Sequence, residues 1–215
     1  MTYKGFPSRK RKGPTIEKRT VVARRTKNAD VRPREYLTAK EVDRLITFAK
    51  KDTRRNTHRD ATMILIAYRH GLRASELVSM RWDMLDFEQG TFHVSRRKNG
   101  RSAMHIVRGD EIRALRKLKR DQVPSSPYVF TSERAGPMTV AGFQRLIRRI
   151  GDQAGFPFPV HPHMLRHACG FALANSGKHD TRAIQEWLGH RNIQHTTRYT
   201  ELTPQRFKDF WQGKD

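Results

Sequence analysis

The amino-acid sequence predicts a mainly α-helical fold with one small antiparallel β-sheet, an α+β arrangement in a single domain. Three observations lead to this prediction. Apolar residues recur at helical spacing before and after a central stretch, two short segments of that stretch alternate with period two, and the pair Asn99-Gly100 lies between those segments. A hydrophobic content of 36% over 215 residues is sufficient for a core of this kind.

The helices are predicted from capping signals and from the spacing of apolar residues. Thr38 and Glu41 fit a capping box, and the apolar face that follows consists of Val42, Leu45, Ile46 and Ala49. Further helices are predicted over residues 60–70, 73–80, 111–121, 139–153, 163–175, 181–188 and 204–211. In the segment 139–153 the residues expected to be buried are Phe143, Leu146, Ile147 and Ile150.

The two strands are predicted at residues 91–95 and 103–107, where apolar and polar side chains alternate. Asn99-Gly100 is a strong signal for a two-residue hairpin turn, because both residue types tolerate a positive φ. This arrangement places Lys98 at the tip of the hairpin.

The charge of the chain points to a polyanionic partner. There are 44 lysines and arginines against 21 aspartates and glutamates, a net charge of +23. Nucleic acid is favoured over a membrane surface, because no stretch combines this charge with a strong apolar face.

The longest apolar run, residues 63–68, is too short to span a membrane, and no secretory signal is recognisable. A single cysteine, Cys169, argues against a disulfide framework and suits a reducing cytosol. The expected location is the bacterial cytoplasm, in association with the nucleoid.

Residues 1–35 differ in composition from the rest of the chain. They contain 12 basic residues against three acidic ones, and their apolar residues follow no period. Three prolines, Pro7, Pro14 and Pro33, interrupt the segment. We expect a flexible basic N-terminal arm that contacts phosphates without sequence preference, the alternative being a solvated tail without a function. Residues 36–215 are expected to form the folded domain.

Histidines are concentrated in one region. Six of the ten occur between residues 161 and 195: His161, His163, His167, His179, His190 and His195. Zinc is disfavoured, because the lone Cys169 and a shortage of nearby acidic residues leave too few ligands, and flanking arginines would repel a cation. Anion binding is favoured, because the guanidinium groups of Arg73 and Arg166 suit two phosphate oxygens. A single arginine in so basic a chain would more often be a surface or ion-paired residue. The prediction of an anion site therefore depends on the arginines and histidines taken together.

Four short motifs follow one another along the chain: Gly71-Leu72-Arg73-Ala74-Ser75-Glu76-Leu77, His163-Met164-Leu165-Arg166-His167, Leu188-Gly189-His190-Arg191 and Tyr199-Thr200. In this order they resemble the catalytic motifs of the tyrosine recombinases, the phage integrase family, over about residues 36–212. The stretch 161–175 is especially similar to the short recombinases that invert fimbrial promoter elements. The resemblance implies that residues 36–215 adopt the tyrosine recombinase catalytic-domain fold.

The resemblance also implies how the DNA strand is cut. Tyr199 would be the nucleophile, attacking a phosphodiester to leave a 3′-phosphotyrosyl link and a free 5′-hydroxyl. His163 would accept the phenol proton, and Lys98 would protonate the departing 5′-oxygen. A base is chemically necessary, because a tyrosine with a pKa near 10 is ionised only about one time in a thousand at pH 7.

Three further residues are assigned to the phosphate itself by the resemblance. Arg73 and Arg166 would bind the non-bridging oxygens, and His190 would hydrogen-bond the same phosphate. No metal or cofactor is expected, because the sequence has neither a carboxylate cluster for magnesium nor a phosphate-binding Gly-rich loop. A covalent intermediate conserves the phosphodiester energy, so that rejoining needs no ATP.

The partner implied by the resemblance is double-stranded DNA with paired recombination sites, bound by a homotetramer and assisted by accessory DNA-bending proteins. Inversion of a promoter element is the favoured task, with integration or excision of a mobile element as the alternative. A DNA-binding regulator without chemistry and a type IB topoisomerase also remain open. Residues 204–211 resemble a C-terminal helix that packs on a neighbouring protomer in this family, although packing on its own domain is equally well supported.

Overall fold

The chain folds into helices around one small sheet in the computed structural model, which describes residues 35–52, 56–96, 102–122 and 124–201. The helices are α1 (Ala39–Lys51), α2 (Thr57–Arg69), α3 (Ala74–Val78), α4 (Gly109–Asp121), α5 (Val140–Gln153), α6 (Pro162–Asn175), α7 (Thr181–Leu188) and α8 (Gln194–Thr200). Strands β1 (Leu85–Asp86), β2 (Thr91–Val94) and β3 (Ala103–Ile106) form an antiparallel sheet in the order β1-β2-β3. The predicted fold class is therefore confirmed.

Helix α2 lies at the centre of the main apolar core. It packs against α1, α4 and α6, and Met63, Ile64 and Ile66 on it are fully buried. A second, smaller apolar cluster lies between α6, α7 and α8, and it consists of Cys169, Ala174, Ile184, Leu188 and Tyr199. This second cluster brings the C-terminal motifs against the main core.

Several local predictions are confirmed. At the start of α1 the Glu41 amide donates to Thr38 Oγ1 at 3.3 Å, and the Thr38 amide donates to the Glu41 carboxylate at 2.8 Å, which completes the capping box. Helix α7 has the predicted bounds, and α5 buries the four predicted residues Phe143, Leu146, Ile147 and Ile150. The two main strands pair from Thr91↔Ile106 to Val94↔Ala103, each one residue shorter than predicted.

Other elements differ from the prediction. Helix α2 begins at Thr57 rather than residue 60, directly after Asn56, which has a left-handed conformation with φ 74°. The predicted helix 73–80 is shorter, ending at Val78. Strand β1 and helix α8 were not predicted at all. Helix α8 is short and polar, and it forms by packing on α6 and α7.

Three predicted features lie outside the described residues. These are the basic arm up to residue 34, the Asn99-Gly100 turn together with Lys98, and the helix 204–211. Glu35, the last residue of the predicted arm, is described and pairs with Arg198 on α8. In the described ranges no helix is both long and apolar enough to cross a lipid bilayer.

Candidate active site

Arg166 joins three distant parts of the chain. It lies on α6 with 2% of its surface exposed, where its Nη1 donates to the Gly71 carbonyl and its Nη2 donates to the Leu188 carbonyl at 2.7 Å. These carbonyls lie two residues before Arg73 and His190, respectively. Burial, followed by repulsion from Arg73, lowers the pKa of Arg166 to about 10, so it remains charged at pH 7. One buried guanidinium therefore fixes where two other motifs approach the site.

Arg73 stands at the start of α3, directly after a turn that requires glycine. Gly71 has φ +57°, and a Cβ there would lie 2.5 Å from Leu188 Cδ2. The Arg73 amide donates to Glu76 Oε2 at 2.9 Å, and its Nη1 donates to Oε1 at 2.7 Å. The Arg73 side chain keeps 32% of its surface exposed, so it is held in place and still accessible to a ligand.

His190 follows the C-terminus of α7 through Gly189, which has φ 65°. Its Nδ1 lies 2.9 Å from the hydroxyl of Thr196 on α8. Burial, followed by the charges of Arg166 and Arg73, lowers the pKa of His190 to about 3, so the ring is neutral at pH 7. When Nδ1 accepts the Thr196 hydroxyl proton, Nε2 carries the ring proton and can donate it to an anion.

Tyr199 lies on α8 with 1% of its surface exposed. Its hydroxyl is 2.7 Å from His167 Nδ1, its ring stacks near that of His190 at a centroid distance of 6.3 Å, and Phe171 meets it edge-on at 5.0 Å. The fit on α6 requires Gly170, because a Cβ at that position would lie 2.7 to 2.9 Å from three atoms of the tyrosine ring.

The pair formed by Tyr199 and His167 is neutral at pH 7. Burial raises the pKa of the Tyr199 phenol, an effect that Arg166 opposes. Burial also lowers the pKa of His167 to about 3. The phenol O–H can therefore donate to the unprotonated Nδ1, which is the arrangement required for an imidazole to accept the proton of an attacking tyrosine.

A cleft of about 630 Å³ opens beside these groups. It is lined by Arg73, Arg182, Gln185, Gly189, His190, Arg191, Asn192, Ile193 and His195. Of these described lining residues none is acidic, and three are arginines. The chemistry of the lining therefore suits a phosphate group better than a cation.

Four of the six predicted site residues come together here. Arg73 and His190 line the cleft, Arg166 holds the two segments that carry them, and Tyr199 stacks against His190. His163 lies on α6 with an exposed side chain, and its ring centroid is 4.5 Å from that of His167. The sixth residue, Lys98, lies outside the described residues.

Sequence reasoning missed two components of the site. His167 contacts the phenol oxygen of Tyr199, and Glu76 pairs with Arg73. His167 directly follows Arg166, and Glu76 lies three residues after Arg73. Their positions inside the motifs were the signal by which they could have been found. Among the residues that the structure describes, no group of three or more histidine, cysteine or acidic side chains is arranged to hold a metal ion.

The sequence has relatives of known family. Residues 35–206 match the phage integrase family. The type 1 fimbriae regulatory protein FimE of Escherichia coli K12 is 40% identical over 184 residues, which cover 83% of this chain and 91% of FimE. FimB of the same strain is 38% identical over 187 residues, covering 85% of this chain and 92% of FimB.

The fold has solved counterparts as well. The crystal structure of XerA recombinase superposes with a TM-score of 0.69 at 26% identity, over 82% of this chain and 64% of XerA. The sequence relatives and the solved fold both agree with the family resemblance that the four motifs indicate. The chain belongs to the phage integrase family and is a tyrosine recombinase.

Proposed function

We propose that this protein is a site-specific recombinase that cuts and rejoins DNA through Tyr199. The phenol oxygen attacks the phosphorus, the bond from phosphorus to the 5′-oxygen breaks, and the strand is left as a 3′-phosphotyrosyl ester with a free 5′-hydroxyl. Attack by the 5′-hydroxyl of another strand reverses these steps and releases the tyrosine. The numbers of phosphodiester and phosphotyrosyl bonds balance at each step, so no external energy source is needed.

One observation carries this proposal: Tyr199 stacks on His190, which shares an arginine-lined cleft with Arg73. A phosphodiester in this cleft meets preorganised donors where charge develops on its oxygens, and each such donor contributes about 10²–10³ in rate. Arg73 and His190 supply donors at the cleft, and Arg166 supplies a third through an N–H group that does not bind a carbonyl.

The protons move at two places in the proposed reaction. His167 is the base in contact with the phenol, and His163, whose ring lies next to it, is the base that the family resemblance assigns. Lys98 protonates the 5′-oxygen as that oxygen leaves. Experiment can decide which histidine is the base, because His163 and His167 can be substituted independently.

The DNA substrate is proposed to be a promoter-type element flanked by inverted sites, which the recombinase inverts. Similarity to FimE and FimB, both named as regulatory proteins of type 1 fimbriae, supports this task over integration or excision of a mobile element. The assembly is proposed to be a homotetramer on two paired sites at the nucleoid, with accessory DNA-bending proteins. Residues 1–35 are proposed as an arm that binds phosphates, which makes affinity fall steeply as salt rises.

Nicked suicide duplexes made from the DNA flanking the gene test the proposal. The wild type is expected to give a covalent protein–DNA adduct on a denaturing gel, and Tyr199→Phe to give none while binding the same duplex. Tyr128→Phe is the matched control and should form the adduct normally, because Tyr128 lies away from the site against Arg81. Binding without any adduct by the wild type would indicate a regulator, and relaxation without exchange between paired sites would indicate a topoisomerase.

A further inference from the structure

A second buried arginine contacts the same two segments as Arg166. Arg96 follows β2, and its side chain is 0% exposed. Its Nη2 donates to the Trp187 carbonyl, and the same atom lies 3.4 Å from the His70 carbonyl. Arg96 belongs to none of the motifs quoted from the sequence, and it lies two residues before Lys98.

The two arginines bind neighbouring carbonyls in matched pairs. Arg166 holds Gly71 and Leu188, whereas Arg96 holds the residue before each of them, His70 and Trp187. All four carbonyls lie at or just beyond a helix C-terminus, where backbone oxygens lack helical partners and where positive charge is favourable. The turn before Arg73 and the turn before His190 are therefore held by a double clamp.

Arg96 also reaches Arg73 through a shared carboxylate. Its Nη1 donates to Glu76 Oε2 at 2.8 Å, while Glu76 Oε1 accepts from Arg73 Nη1 at 2.7 Å. Burial alone would raise the pKa of Glu76, but Arg96 and Arg73 hold it below its usual range, so the carboxylate stays ionised. With Oε2 fixed by Arg96, the carboxylate presents Oε1 to Arg73 in one orientation.

We propose that Arg96 is a positioning residue for strand cleavage, an inference that rests on the proposed function. It fixes Arg73 through Glu76, and together with Arg166 it keeps the two turns in place while Arg166 binds the phosphate. Each terminal nitrogen of Arg166 gives one N–H to a carbonyl in this structure, and its other N–H groups are the ones that can bind a phosphate. Arg96 supplies a second connection between the same two turns.

The test compares Arg96→Lys with wild type in single-turnover cleavage of the suicide duplex. Lysine keeps the charge beside Glu76 but lacks the planar fork that reaches three acceptors. Cleavage is expected to fall by about 100-fold, the loss associated with a misplacement near 1 Å. The Kd for the duplex should change by less than about threefold, since the phosphate-binding surface is retained. Cleavage within threefold of wild type would overturn the proposal.

Measuring Arg96→Lys in an Arg73 variant distinguishes a positioning role of Arg96 from a general role in stability. If Arg96 acts partly through Glu76 on Arg73, Arg96→Lys should cost about tenfold in an Arg73→Lys background instead of about 100-fold, the remaining loss coming from the two turns that Arg96 holds. An equal hundredfold loss in both backgrounds would overturn that route. The matched control is Arg59→Lys, which alters another buried arginine, paired with Asp60 far from the cleft, and should leave the cleavage rate of folded protein unchanged.

A second pair of variants covers the case in which Arg96→Lys fails to fold. The double variant Arg96→Gln/Glu76→Gln removes both buried charges together, which avoids leaving one of them unpaired. It is compared with Glu76→Gln alone, and a further loss of at least about tenfold is expected. Equal rates for the two proteins would overturn the proposal. A wild type that forms no adduct would instead overturn the proposed function, and this inference with it.

Discussion

The hydroxyl of Tyr199 lies 2.7 Å from Nδ1 of His167, and both side chains are buried. The two residues are 32 positions apart in the sequence and meet only because α8 packs on α6. A buried phenol next to a neutral imidazole can lose its proton as it attacks, without first forming a free phenolate in solution.

His167→Asn is expected to slow adduct formation by about 10²–10⁴-fold, the range typical for removal of a general base. The asparagine keeps a polar group near the phenol, so the fold should be retained. Single-turnover cleavage on the suicide duplex measures the effect. His163→Asn is the parallel variant, and a larger loss for His163→Asn than for His167→Asn would show that the proton goes to His163.

Thr196→Val should lower cleavage by about tenfold without changing DNA affinity. The hydroxyl of Thr196 lies 2.9 Å from Nδ1 of the neutral His190, and its loss removes the partner that favours a proton on Nε2. The control is Thr197→Val, because the Thr197 hydroxyl donates only within its own helix, to the Gln194 carbonyl. Equal rates for the two valine variants would contradict this role of Thr196.

Gly170→Ala should displace the ring of Tyr199. Alanine is normally the better helix former, by up to about 1 kcal/mol, yet the added Cβ would lie 2.7 to 2.9 Å from the tyrosine ring. We expect a lower melting temperature and at least about tenfold slower adduct formation. Gly109→Ala is the control, because its Cβ would approach only the flexible end of Arg113, at 3.5 Å. A Gly170→Ala protein as stable and active as wild type would contradict this packing.

Stability should fall as the pH is lowered from 7 to 5. Burial lowers the pKa of His105 to about 2 and the pKa values of His167 and His190 to about 3, whereas the unfolded chain binds these protons near pH 6.5. The unfolded state therefore takes up more protons in this window and is favoured by acid, by up to about 2 kcal/mol per histidine at pH 5.

Urea unfolding at pH 7 and pH 5 measures this difference in the free energy of unfolding. His105→Phe should reduce the difference by about 1–2 kcal/mol, because it removes a histidine that only the unfolded chain protonates in this pH range. His93→Asn is the control, since His93 is exposed on β2. An unaltered pH dependence in His105→Phe would show that His105 is not the group responsible.

The sequence predicted what depends on local pattern. Capping at Thr38 and the apolar period of α5 are local features, and both were found as expected. Helix α8 could not be predicted, because Gln194–Thr200 carries no apolar period and is stabilised by contacts with helices formed elsewhere in the chain.

The candidate site was predictable as a set of residue types but not as a set of contacts. Arg73, Arg166, His190 and Tyr199 could be chosen from the motifs that resemble a known family. The sequence could not distinguish an exposed arginine from a buried one, so Arg96 was indistinguishable from its basic neighbours although its side chain has no exposed surface. Which histidine contacts the phenol also depends on the packing of α8 on α6, which local pattern does not encode.

The most direct test of the account is to identify the atom of the protein that becomes joined to DNA. The adduct from the suicide duplex is digested with nuclease and trypsin, which releases the peptide 199–206 after Arg198. Mass spectrometry is expected to find a nucleotide 3′-phosphate on Tyr199, and the liberated strand to begin with a 5′-hydroxyl that a kinase labels without phosphatase treatment. A nucleotide on any other residue, or a 5′-phosphate on the liberated strand, would contradict the account.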